Sequence, residues 1–142
     1  MSLQECFNAG LLKKDKPSKE KTTKSFQTAE TYLIKAEHTI KNQDFDLTIL
    51  CSYTSMFHAA RALLYTDGIK EKSHVCLILY IKQKYPQLSN EMNLMDSYRR
   101  TRHTTLYGLE FMTTKEQAQE SIKDAQNILK KIKNILKNKT IN

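Results

Sequence analysis

Only three glycines and two prolines punctuate the 142 residues of this chain, so little interrupts a helical backbone. Long apolar runs are missing too. Lys, Asp, Thr or Arg breaks every hydrophobic stretch within a few residues, which excludes a membrane-spanning helix. The opening MSLQECFNAGLLKKDK lacks the basic start and long apolar core of a secretory leader. Cysteine is scarce: Cys6, Cys51 and Cys76 form no CxxC pair and cannot all pair with one another. The expectation is buried or free thiols in a reducing, cytoplasmic setting. No phosphate loop, dinucleotide fingerprint or HExxH is present. His38, His58, His74 and His103 have no Cys or carboxylate at metal-ligand spacing, so neither a metal nor another cofactor is expected.

What is there describes one ordinary globular domain. Hydrophobic residues make up 39% and charged residues 27%, enough for a single core and not for two. The net charge of +8 permits an acidic polymer as partner, but its lysines cluster at the two ends, Lys13–Lys24 and Lys130–Lys139. The linear sequence shows no aromatic-interleaved basic stripe of the kind an RNA-recognition sheet carries.

Helical periodicity is the dominant signal. Pro17 suits a first helical turn, and Phe26, Ala29, Leu33, Ala36 and Ile40 then fall on one face up to about Asn42. Asp44 or Asp46 can cap a second helix that ends at Gly68, with Leu47, Leu50, Tyr53, Phe57, Ala60 and Leu64 as its buried face. Ser73 can cap a third, stopped by Pro86; β-branched Val75–Ile81 reads as helix because one strand would have no partner. A fourth runs from about Ser89 to Tyr107, before Gly108. Thr113 and Glu116 form a capping box for the last, whose stripe is Ala118, Ile122, Ala125, Leu129, Ile132 and Leu136. The expected fold is all-α: an up-and-down bundle of four long helices plus one shorter helix over 18–138. An extension (1–17) precedes it and a tail (139–142) follows.

One segment carries chemistry. Between Asp96 and Gly108 stand three arginines, a histidine and two tyrosines. Arg99, His103 and Tyr107 share a helical face, and Arg102 lies on a neighbouring one. Asp96 can pair with Arg99 or Arg100. Arginine clamps phosphate, and histidine or tyrosine can carry a proton. The alternative is a basic helix end that complements its own dipole. On the second helix His58 and Arg61 are one turn apart; they are either further ligand-binding residues, or a core histidine and an ion-pair partner for Asp67 or Glu71.

These pieces together resemble the HEPN family (higher eukaryote and prokaryote nucleotide-binding domain), in particular its small stand-alone prokaryotic members. Ala36-Glu37 with Asn42-Gln-Asp-Phe45 resembles the first helix and its turn. Ser52-Tyr-Thr-Ser-Met-Phe-His-Ala-Ala-Arg-Ala-Leu-Leu64 resembles the central helix, with Gly68 and Lys72-Ser-His74 behind it. Arg102-His-Thr-Thr-Leu-Tyr-Gly108 falls on the signature, and Thr113 to Leu136 resembles the closing helix. The resemblance implies a homodimer whose signature arginines meet in an interface cleft. It implies RNA or nucleotide as ligand, and often a minimal nucleotidyltransferase as partner. Many members are metal-independent ribonuclease toxins that use an arginine and a histidine four to six residues beyond it. Here Arg102 matches the arginine, His103 follows it, and Tyr107 stands where the histidine is expected. A ribonuclease, with Arg102, His103 and Tyr107 as candidate catalytic residues, is one implied reading. Another is a non-catalytic dimeric adaptor that docks a nucleotidyltransferase or a nucleotide, with Arg102, Arg99, Arg61 and His58 as candidate phosphate contacts.

Overall fold

A computed structural model describes residues 1–107 and 113–139, and for 101–107 the backbone only. Among the described residues six helices and one small sheet follow in the order α1 (Leu3–Asn8), β1 (Leu12–Lys14), α2 (Lys19–Lys41), α3 (Phe45–Asp67), β2 (Ile69–Glu71), α4 (His74–Lys84), α5 (Ser89–Tyr107) and α6 (Lys115–Lys137). A single 3-10 turn, Pro86–Leu88, separates α4 from α5. The fold is the expected all-α bundle, and Val75–Ile81 is helix.

Helix ends follow local chemistry, with small departures from the sequence reading. Ser18, Ser73 and Thr114 cap α2, α4 and α6 through their hydroxyls. Pro17 therefore precedes the cap instead of sitting in the first turn. The capping box is Thr114 with Gln117, one residue later than Thr113 with Glu116. Asp44 occupies the N-cap of α3 but makes no side-chain capping bond. Gly68 closes α3 at φ 72°, and a Cβ there would lie 2.5 Å from the Asp15 carbonyl oxygen. Only glycine fits that turn.

α3 is the axis. It contacts α2, α4, α5 and α6, and Met56, Ala60, Leu63 and Leu64 are fully buried. Leu77 and Ile81 of α4, Met92 and Met95 of α5, and Ile128 and Ile132 of α6 complete the core. α2 runs antiparallel to α3 at close range because the facing residues are small. Ala29, Ala36 and Ala59 are fully buried, Ser55 donates to the Ala29 carbonyl (2.6 Å) and Ser25 to that of His58 (2.8 Å). Not all of the expected α3 face is buried. Leu47 is 40% exposed and Leu50 half-buried, because Ile49, Met56 and Leu63 take the core on the other sides.

The N-terminal segment corrects the reading of the cysteines. β1 pairs antiparallel with β2, with Leu12 opposite Glu71 and Lys14 opposite Ile69. α1 packs on α4, and Cys6 and Cys76 form a disulfide with Cα atoms 5.8 Å apart. Neither is a free thiol; Cys51 is, buried in α3. The pairing depends on α1 folding back across 70 residues of chain, which no local spacing reveals.

Candidate functional site

α5 is held on α6 by paired polar contacts. Glu91 accepts from Lys131 (2.8 Å), and the phenol of Tyr98 donates to Asp124 (2.5 Å). Burial and that carboxylate push the Tyr98 phenol far above the usual tyrosine range, while burial raises Asp124. Between these two contacts Asp96 is shared: Arg99 Nε lies 2.9 Å from one carboxylate oxygen and Arg100 Nε 3.5 Å from the other. Both guanidinium groups are thus tied to the same carboxylate. Leu94, Ser97 and Tyr98 border a cavity with Ile49, so this part of α5 sits beside the N-terminal half of α3. Arg102, His103 and Tyr107 follow on the helical last turns of α5, and their side chains lie outside the described residues.

His58 and Arg61 belong to a different part of α3. They are 9 and 12 residues beyond Ile49, which a rise of 1.5 Å per residue turns into about 14 and 18 Å along the axis. That distance separates them from the Leu94–Tyr98 part of α5, and their own partners, Tyr32, Tyr65 and Glu71, come from other elements or from α3 itself. Arg61 lies 3.5 Å from Glu71, whose side chain is only 6% exposed, and its guanidinium packs 5.3 Å from the Tyr65 ring centre. Of the two ion-pair partners considered for it, Glu71 is the one engaged. Burial raises the Glu71 carboxyl, and Arg61 partly offsets that. The His58 ring stacks on Tyr32 at 5.8 Å with planes 8° apart. Burial, then the neighbouring Arg61 charge, lower its pKa, so near neutral pH it is an uncharged, half-buried ring.

Sequence reasoning passed over one arrangement. His74, the first residue of α4, lies with its Nδ1 2.5 Å from the hydroxyl of buried Tyr53 and with its ring 4.0 Å from Phe57. A histidine held on one face and at one nitrogen has a fixed orientation, which proton transfer requires. The only available signal was the Lys72-Ser-His74 segment after the central helix. Among the described residues no group of His, Cys, Asp and Glu is placed to hold a metal ion.

The model of the HEPN domain matches residues 22–135. The chain belongs to the HEPN family. The match takes in α2 through nearly all of α6, and α1 and β1 are additions outside it. No curated protein matches the chain. For a HEPN protein, the division of charge over the two regions is informative. Arg99 and Arg61 each have a carboxylate partner in the protomer, Asp96 and Glu71 respectively, so each is already part of an ion pair. No helix among the described residues is long and apolar enough to cross a membrane.

Proposed function

We propose that this HEPN protein is the RNA- or nucleotide-binding half of a two-component module whose other half is a minimal nucleotidyltransferase. It acts as a homodimer through the N-terminal part of α3, where Leu47 is exposed and Leu50 half-buried, together with α5. Arg102 is the phosphate anchor. The observation that carries the reading is the family match over 22–135, which includes the segment from Arg102 to Gly108. Two arginines meeting across a dimer cleft repel unless an anion lies between them, so the cleft is built for phosphate.

Tyr107 stands where the family's ribonucleases place histidine. A tyrosine with an ordinary pKa near 10 is protonated at pH 7 and a weak general base. Binding is therefore the primary activity, and cleavage is slow and independent of metal. A toxin role under control of the nucleotidyltransferase fits the same module.

The test is thermal unfolding of the purified protein with inorganic phosphate, a nucleotide or total RNA, with and without chelator. Wild type gains stability by mass action. Arg102→Ala loses that gain and leaves the unliganded dimer as stable as before. Retention of the full gain by Arg102→Ala refutes the assignment of the anchor. A monomer of 16.5 kDa by light scattering at tens of micromolar refutes the dimer.

A further inference from the structure

Along the C-terminal part of α3 one strip escapes full burial. Thr54, His58, Arg61 and Tyr65 are half-buried at steps of four, three and four residues, and every residue between them is buried. Rings from two helices lie along this strip. Tyr32 of α2 stacks on His58, and Tyr65 carries Arg61 at 5.3 Å and Lys21 at 5.9 Å from its ring centre. Beyond Tyr65 the β1–β2 ribbon adds Lys13 and Lys70, which face each other across the two strands. With Arg61, Tyr65, Glu71 and Lys72 they line a recess of 170 Å³. Like charges directly opposite in a two-stranded ribbon are destabilising, and among the described residues Lys70 is ion-paired with Asp15 at 3.3 Å while Lys13 has no ion pair. The surface thus alternates aromatic faces with cations, an interleaving that chain order hides because its parts come from α2, α3, β1 and β2.

We propose that this face is a track for single-stranded RNA, with bases stacked at Tyr32–His58 and at Tyr65 and the backbone held by Arg61, Lys13 and Lys70. It rests on the RNA reading above and puts the strand on a face to which α5 does not contribute. Stacking on ring faces is tolerant of base identity, and the cations follow the phosphates. His58 and Tyr65 are seven residues apart, about 10 Å along the helix, or about three times the ~3.4 Å rise of a stacked strand. One strand can therefore reach both ring positions with nucleotides to spare between them. A duplex cannot use the rings, because its bases are already stacked on one another. An acidic peptide would meet the charges but leave the ring faces without a matching flat group.

The experiment measures fluorescence anisotropy of a labelled oligouridine of about ten nucleotides, against a duplex of the same length and against polyglutamate. The proposal expects the single strand to bind tightest. Tyr32→Leu and Tyr65→Leu, which keep apolar bulk, each weaken it about tenfold. A Lys13→Ser, Lys70→Ser double variant makes the slope of log K against log salt shallower by about 1.4 for a single strand. Arg102→Ala loses stabilisation by free phosphate and keeps the response of strand binding to Tyr32→Leu and Tyr65→Leu. That separates the two sites: wild-type strand binding in both Tyr variants overturns the track alone, and unchanged phosphate stabilisation in Arg102→Ala overturns only the α5 anchor. Equal affinity for the duplex, or for polyglutamate, overturns the stacking argument. So does dissociation of a dimer by Tyr32→Leu or Tyr65→Leu, because the face is then an interface between copies.

Discussion

Replacing Asp67 should cost far more than its position at a helix end suggests. Its Oδ2 accepts from the phenols of Tyr80 (3.1 Å) and Tyr85 (2.7 Å), and its Oδ1 lies 3.0 Å from Lys139 Nζ. Lys139 also donates to the Tyr85 oxygen at 2.6 Å. One carboxylate thus ties the end of α3 to α4, to the turn after it and to the chain leaving α6. The Asp67 side chain is 16% exposed, so water replaces it poorly. A hydrogen bond to a charged group is worth about 1.5–3 kcal/mol. Two such bonds from buried phenols, taken at the low end, put Asp67→Ala at about 3 kcal/mol. The Lys139 ion pair is about a third exposed on the lysine side and contributes at most about 1 kcal/mol. Lys139→Ala should therefore be mild. Asp67→Asn, which keeps an amide oxygen for the phenols, should fall between the two. Urea unfolding at pH 7, followed by circular dichroism, measures all three from their midpoints if the slopes agree. A loss below about 1 kcal/mol for Asp67→Ala, or equal losses for Asp67→Ala and Lys139→Ala, refutes the account of Asp67 as a shared acceptor.

Two further predictions follow from the same structure. Tyr80, Tyr85 and Tyr98 all have folded pKa values raised above the ordinary 10.0, by burial first and then by Asp67 or Asp124. Raised folded values mean full stability below the unfolded pKa and loss as pH rises past it, so stability should fall above about pH 10; in an ultraviolet titration these three phenols should ionise only as helical ellipticity disappears, and their ionisation in the folded state would contradict the burial. The Cys6–Cys76 bond closes a sequence separation of 70, which loop entropy values at up to about 4 kcal/mol. The unreduced, denatured chain should show one thiol, Cys51, and Cys6→Ser should lower the urea midpoint; three titratable thiols would refute the pairing.

The helices were legible because their signals are local. Ala29 and Ala36 on one α2 face, Gly68 behind α3 and a threonine cap before α6 each act within a turn or two of themselves. Errors at that level were of one or two residues, as with Pro17 and the capping box, where neighbouring residues offer nearly equal chemistry. The ion pair of Arg99 with Asp96 was legible for the same reason, an i, i+3 spacing on one helix. Contacts between elements were not. Leu12 opposite Glu71 and Cys6 bonded to Cys76 join segments about sixty to seventy residues apart, and nothing near Cys6 distinguishes it from Cys51.

The same distinction governs the candidate sites. A core repeats with the helical period and so writes itself into the sequence, whereas a surface site is read across elements and has no period. Tyr32 and His58 are on different helices, and the lysines at their end of the surface come from a ribbon with no strand signal of its own. Their cations and rings are separately unremarkable in chain order. Their cost is visible only in three dimensions: Lys13 opposite Lys70 opposes folding by charge repulsion, and a half-buried strip of rings along α3 forgoes full burial. An anionic strand with stacking bases relieves both at once. A second protein subunit presenting the same positive surface relieves only the second and worsens the first, which is why the strand is the better occupant of this face.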